Sequence, residues 1–234
     1  MHFRNLSAML WASAHPPLPV FHVKQSTEQV GLACYLTDLR QRLALCVAPD
    51  RLDALTSLLS WLAPASHQIG LTKYADPLSL AQNLVAPAMQ LLSPSLRPHL
   101  SSPALDFGAG CGAVGLSLGC MWTELEVVLA DRRQRVVQFL DIAIRRHGLS
   151  NCTSLLVDLH LPPEAMQGRF GTVLMRAFGP AESSLASSAD WVRPGGTVAL
   201  WRQPGVCPTP NGLNALRTDH TDVPSLVLTL YQRV

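Results

Sequence analysis

The chain has 234 residues, of which 48% are hydrophobic and 15% charged, and a formal net charge of +2. This excludes a disordered chain and leaves room for one α/β domain with an appendage, or for two small domains. The net charge does not by itself argue for a nucleic-acid partner, although every cation except Lys24 and Lys73 is an arginine, the residue that forks onto phosphate.

Residues 1–27 carry prolines and histidines without periodicity and read as a loose N-terminal arm. Its start, "MHFRNLSAMLWASAHPP", resembles a weak signal peptide, but Ser7 and Ser13 interrupt the apolar run, and export is not the expected reading. Residues 28–100 form a helical region. Leu32, Leu36, Leu39 and Leu43 recur at three- and four-residue steps, and Leu52, Leu55, Leu58, Leu59 and Leu62 continue the pattern. "APD" at 48–50 separates two helices, and Asp50 is expected to cap the second. "HQIGLTKYADP" reads as a connector, and Pro77 to Leu92 as a further helix bent at Pro87. The Pro/Ser-rich stretch 93–103 then leads into a different pattern.

From Ala104 strands and helices alternate. "ALDF" is a strand, 113–121 a helix, "LEVVLAD" at 125–131 a strand, and 133–147 a helix ended by Gly148. "CTSLLVD" at 152–158, "FGTVLM" at 170–175, "GTVALW" at 196–201 after the turn "RPGG", and "SLVLTLYQ" at 225–232 complete the strands. Near-continuous apolar strands joined by helices imply a sheet buried on both faces. The expected fold is therefore α/β, a doubly wound, mostly parallel Rossmann-like sheet over residues 101–234, with an N-terminal helical cap. Ligands of such sheets sit at the carboxyl ends of the strands, where the strand order switches. The six cysteines, Cys34, Cys46, Cys111, Cys120, Cys152 and Cys207, show no CxxC pair and no zinc spacing. A cytoplasmic, reducing compartment and no metal are expected. No stretch reaches the ~18 apolar residues of a membrane span.

The densest chemical signal is "LDFGAGCGAVG" at 105–115. Bare backbone directly after a strand serves two ligand classes, nucleotide phosphates and S-adenosylmethionine. Gly110, Gly112 and Gly115 satisfy the dinucleotide pattern, which alone is a weak signal. The glycines begin earlier, at Gly108, and an acid, Asp106, precedes them. That acid can anchor the loop and the ammonium end of a methionine moiety, whereas beside a pyrophosphate it would repel. The pattern favours S-adenosylmethionine over NAD, and hence a class I methyltransferase domain. Asp131 ends the next strand, where a carboxylate can accept both ribose hydroxyls; the competing reading is a cap on the following helix.

For the methyl acceptor, "MRAFGP" at 175–180 supplies neither the Asn/Asp-Pro-Pro-aromatic loop of amino-group methylation nor a nucleophilic cysteine. Cys207, after the fifth strand, reads as inert. An acceptor with an available lone pair, such as guanine N7, needs no general base, and positioning would carry most of the rate. Here the sequence resembles a known family. "LDFGAGCGAVGLSL", Asp131 with "RQRVVQFL" close behind, "HGLSN" at 147–151, "MRAF" with Arg176, and "RPGGTVAL" resemble the glucose-inhibited division B (RsmG) family, guanine-N7 methyltransferases of small-subunit ribosomal RNA. "LLSWLAPASHQIGLTKYADP" is similar to that family's connector after an N-terminal helical pair.

The resemblance implies an S-adenosylmethionine-dependent enzyme acting on 16S rRNA, free or within 30S particles, as a monomer. It implies cofactor contacts at Gly108, Ala113, Leu159, His160 and Arg176, beside the loop glycines Gly110 and Gly112 and the ribose acceptor Asp131. Arg176 is the candidate catalytic residue, facing cofactor or base. The family has an acid where His160 stands, and Asp158 is the alternative contact for the adenine. The family's His-x-x-Asp-Ser helix reads Asn83-Leu84-Val85-Ala86-Pro87 here, and its Lys-Gly after the fifth strand reads Trp201-Arg202. These departures keep two other readings open, a non-catalytic RNA- or ribosome-binding relative and a methyltransferase for a small molecule. Arg132, Arg133, Arg135, Arg145 and Arg146 flank one helix, either as a solvated face or as phosphate contacts.

Overall fold

The computed structural model describes residues 27–45, 47–176, 181–206 and 209–234. The expected N-terminal arm, Cys46, Cys207 and Ala177-Phe178 of the "MRAF" stretch lie outside the described residues.

The leucine periodicity becomes two packed helices, α1 (Thr27–Arg42) and α2 (Pro49–Gln68). Leu32, Leu36 and Leu39 of α1 face Leu55, Leu58, Leu59 and Leu62 of α2 within one buried cluster. Helix α2 starts earlier than its acid suggested. Ala48 is the N-cap and Pro49 the first helical residue, where its fixed φ suits the first turn and its missing N–H costs nothing. Asp50 pairs with the Arg51 guanidinium instead, at 2.8 Å.

The helix expected over Pro77–Leu92 is broken into short pieces. Helix α3 (Pro77–Leu80) is capped by Asp76, whose Oδ1 accepts the Ser79 amide at 2.7 Å. A π-turn follows over Ala81–Val85, then α4 (Ala86–Met89) and a 3-10 turn over Gln90–Leu92. The interruption sits where Pro87 brings no amide to the ladder. The backbone widens to i→i+5 bonding just before it, with the Ala86 amide donating to the Ala81 carbonyl.

Seven strands form the sheet: β1 (Ala104–Phe107), β2 (Val127–Asp131), β3 (Cys152–Leu156), β4 (Phe170–Arg176), β5 (Val192–Arg202), β6 (Leu213–His220) and β7 (Val227–Arg233). Their order is β3-β2-β1-β4-β5-β7-β6. Strands β1 to β5 pair in parallel, and β7 and β6 add antiparallel at one end. The expected α/β fold with a mostly parallel sheet is what the chain adopts. Two elements escaped the sequence reading. Strand β6 is exposed along most of its length, so it lacks an apolar run, and α7 (Ala181–Ala189) is a serine-rich helix of weak amphipathicity.

Alternate residues of the strands feed two cores. On one face Ala104, Val127, Leu129, Leu174, Ala199 and Trp201 pack under α5 (Ala113–Met121), α6 (Gln134–Arg146) and the cap helices. On the other, Leu105, Phe107, Val173, Met175 and Val198 pack with Leu185 of α7 and with Trp191. The cap thus extends the helical layer of one face, with its π-turn over the carboxyl end of β4 and α4 over that of β5. Among the described residues, no helix is long and apolar enough to cross a membrane.

Candidate functional site

The strand order reverses between β1, which leads out to β2 and β3, and β4, which leads to β5. The glycine loop leaves β1 at this point, where open α/β sheets hold their ligands.

The glycines divide into two pairs with different work. Gly108 (φ 78°) and Gly110 (φ 55°) adopt left-handed backbone that a side chain resists. A Cβ on Gly110 would meet nothing nearer than the Gly108 carbonyl oxygen at 3.9 Å, so its missing side chain leaves open space. Gly112 is left-handed as well (φ 79°), and it and Gly115 also serve close packing. A Cβ on Gly112 would lie 2.6 Å from Leu140 Cδ2, and one on Gly115 would lie 2.7 Å from Asp106 Oδ2. The loop is tied to β2, because the Gly108 and Ala109 amides both donate to the Ala130 carbonyl, at 3.0 and 2.9 Å. Ala113, the first residue of α5, is buried.

Two acids end the central strands in opposite surroundings. Asp106 lies beneath α5, where its Oδ2 accepts the Gly115 amide at 2.8 Å. Burial pushes its pKa up to about 7; the Gly115 bond opposes the rise and the nearby Asp131 adds to it. Asp131 is also buried, which raises its pKa, but the Arg133 side chain and amide and the Gly110 amide outweigh that and hold it below the ordinary carboxylate value. Its Oδ1 accepts the Arg133 amide and Nε, each at 3.0 Å. Its Oδ2 accepts Arg133 Nη2 at 3.0 Å and the Gly110 amide at 3.2 Å. The N-cap of α6 is Arg133 and carries no side-chain cap, so Asp131 is not the helix cap; its carboxylate closes the turn that leads into α6 and ties down the glycine loop.

After β3, Leu159 is buried, and its carbonyl accepts Trp191 Nε1 at 2.9 Å. His160 is exposed, with its ring Nδ1 2.9 Å from Ser187 Oγ of α7. Asp158 spends one carboxylate oxygen on its own turn, accepting the His160 amide at 3.0 Å. Arg176 closes β4 on the same edge, half-buried beneath the cap. Its guanidinium donates to the Asn83 carbonyl and, at 3.4 Å, to the Leu84 carbonyl. Burial pulls its pKa down to about 10. Trp201 at the end of β5 donates to the Pro87 carbonyl at 3.2 Å. Arg202 beside it bonds Thr229 Oγ1 at 3.1 Å and the Gln203 and Gly205 carbonyls at 3.0 and 3.1 Å.

The arginines of α6 do not form one face. Arg132, Arg133 and Arg135 stand at its start, on the carboxyl edge, whereas Arg145 and Arg146 stand at its end, about 20 Å away at the helical rise. Arg146 lies over the Trp61 ring, 5.7 Å from its centroid, and Arg135 reaches the Ile69 carbonyl at 3.5 Å. Sequence reasoning missed two pairings, Arg133 on Asp131 and Arg176 on the π-turn. Pro87 was the available signal for the second, since it deprives the Asn83 carbonyl of its usual donor.

This donor set fits S-adenosylmethionine: open space at the left-handed Gly110, and beside it a buried, ionised carboxylate suited to a vicinal diol. The model of the GidB family, rRNA small subunit methyltransferase G, matches residues 51–204, which span the glycine loop, Asp131 and Arg176. The chain is 27% identical over 208 residues to the Ribosomal RNA small subunit methyltransferase G of Burkholderia thailandensis, covering 83% of this chain and 87% of that protein. It is 24% identical over 174 residues to the protein of the same name from Synechococcus elongatus, covering 74% and 72%. A solved structure described as "Conversion of a Disulfide Bond into a Thioacetal Group during Echinomycin Biosynthesis" shares the fold. Its TM-score is 0.50 at 14% identity, over 62% of this chain and 81% of that one.

Proposed function

Because the chain belongs to the GidB family of small-subunit rRNA methyltransferases, we propose that it methylates guanine N7 in 16S rRNA, with S-adenosylmethionine as donor. The observation that carries this reading is the coincidence of the family match with the geometry at the strand switch. The matched span contains both the left-handed Gly108 and Gly110, with open space at Gly110, and the ionised Asp131 beside them.

In this reading Gly108 and Gly110 receive the methionine end, with Gly112 and Ala113 shaping the turn behind them, and Asp131 receives the ribose hydroxyls. The turn holding Leu159 and His160 flanks the adenine. The bound cofactor supplies an electrophilic methyl on a positively charged sulfur. The base N7 attacks in line, forming N–CH3 as S–CH3 breaks, and the positive charge passes to the guanine ring. N7 bears no proton to lose, so the chain needs no general base and works by holding its reactants close and aligned. The transfer calls for no metal, and we read the enzyme as a cytoplasmic monomer acting on the rRNA, free or in 30S particles.

Arg176 enters as a positioning residue. Its guanidinium serves the Asn83 carbonyl, which Pro87 leaves without its usual amide donor, and the neighbouring Leu84 carbonyl, and so fixes the cap segment that overhangs the acceptor side of the edge. The test is two-part. Calorimetry should show binding of S-adenosylmethionine and its demethylated product but not NAD, and methyl label should pass to small-subunit rRNA. Heat from NAD alone would sink the cofactor reading, and label on a small molecule but never on RNA would sink the substrate reading.

A further inference from the structure

The Asp131 carboxylate is fully subscribed. A carboxylate offers about four lone-pair directions, and all are taken. Each oxygen accepts one backbone amide, Arg133 on Oδ1 and Gly110 on Oδ2, and each accepts one nitrogen of the Arg133 guanidinium. The amides belong to the fold. The guanidinium belongs to a side chain that is 50% exposed, over a carboxylate only 5% exposed. A vicinal diol needs one acceptor direction on each oxygen, which is what the guanidinium fork occupies.

We propose that Arg133 occupies the ribose seat in the cofactor-free protein, is expelled when the cofactor binds, and then takes an rRNA phosphate beside the site. The proposal rests on the assignment of Asp131 as ribose acceptor. The released guanidinium stays at the N-cap of α6, next to exposed Arg132 and Arg135 at the carboxyl edge where the acceptor must arrive. A phosphate offers the fork the same paired oxygens that it gives up. Cofactor and RNA then help one another, since whatever frees Arg133 for one ligand clears or fills its place for the other. By linkage the effect is equal in both directions. Arg133 thereby sets cofactor affinity without touching the cofactor.

The experiment is calorimetric titration of the demethylated cofactor into wild type, Arg133→Ala and Arg133→Gln, with and without deproteinised small-subunit rRNA. RNA affinity is measured in parallel across a salt series. Both variants should bind the cofactor product about five-fold more tightly than wild type without RNA, because no side chain has to be displaced. In wild type, saturating cofactor should strengthen RNA binding and steepen the slope of log K against log salt by about 0.7 to 0.9, one added phosphate contact. Neither variant should show that change. Weaker cofactor binding by both variants, or a wild-type slope indifferent to cofactor, overturns the proposal. Asp131→Ala separates the two levels. If it binds cofactor like wild type, the ribose assignment itself fails. If it binds weakly while the Arg133 variants bind no more tightly than wild type, only the displacement fails.

Discussion

At the residue scale, Asp106 and Asp131 show how surroundings assign different duties to one side chain. They lie near the ends of adjacent parallel strands, with Asp131 two residues beyond the register partner of Asp106, yet only Asp131 has a guanidinium partner. Asp106 has burial and one amide, and its pKa rises from 3.8 to about 7. The folded protein therefore keeps a proton that the unfolded chain releases above about pH 4. The stability this contributes is complete below that pH and is lost as pH climbs to about 7, a swing of up to about 4 kcal/mol. Asp106→Asn keeps an acceptor for the Gly115 amide and removes the titration. It should flatten melting temperature against pH between 4 and 7 and melt higher than wild type at pH 8, as thermal scans across that range would show. An unchanged pH profile would mean that Asp106 is ionised in place.

At the element scale, the glycine loop and the broken third helix build the site from opposite sides. Arg176 ties the second of these to the sheet, with its Cα on β4 and its guanidinium on the π-turn carbonyls. Arg176→Ala should cost about 1–3 kcal/mol of local stability, the range for a charged donor withdrawn from buried acceptors. Amide exchange across residues 81–85 should speed up, and methyl transfer should fall with a raised KM for RNA, while cofactor affinity changes little. A large loss of cofactor affinity with slow exchange retained would return Arg176 to a direct cofactor contact. The elements were legible in proportion to how their burial patterned the sequence. Strands β1, β2 and β4 are apolar runs because both faces are covered, and α1 and α2 repeat leucine because one face is. Strand β6 was not legible because it is an edge whose residues face solvent. The glycine loop and Asp131 were legible as a site. The partners of Asp131 and Arg176 were not, since one choice depends on a rotamer and the other on a cap segment 92 to 93 residues away.

At the scale of the whole molecule, the sheet separates the basic residues into two ends. Arg132 and Arg135 share the carboxyl edge with the glycine loop, while Arg145 and Arg146 lie across the sheet's height, with Arg146 already over Trp61. Replacing Arg132 and Arg135 together by Ala should weaken RNA binding for all sequences alike and flatten its salt dependence, because phosphate contacts position and do not specify. Arg145→Ala should leave both unchanged. Equal effects at both ends, measured by the same salt titration, would mean that RNA wraps the helix and does not address one edge. All of this presupposes the chemistry, and one measurement reaches it directly. Small-subunit rRNA, free and as 30S particles, is incubated with the protein and S-adenosylmethionine, then reduced and treated with aniline, which cleaves the chain where a guanine carries an N7 methyl group. The account predicts cleavage at a single guanine that appears only when both protein and cofactor are present. Methyl label on the RNA without cleavage, or no label on either form of the RNA, would contradict it.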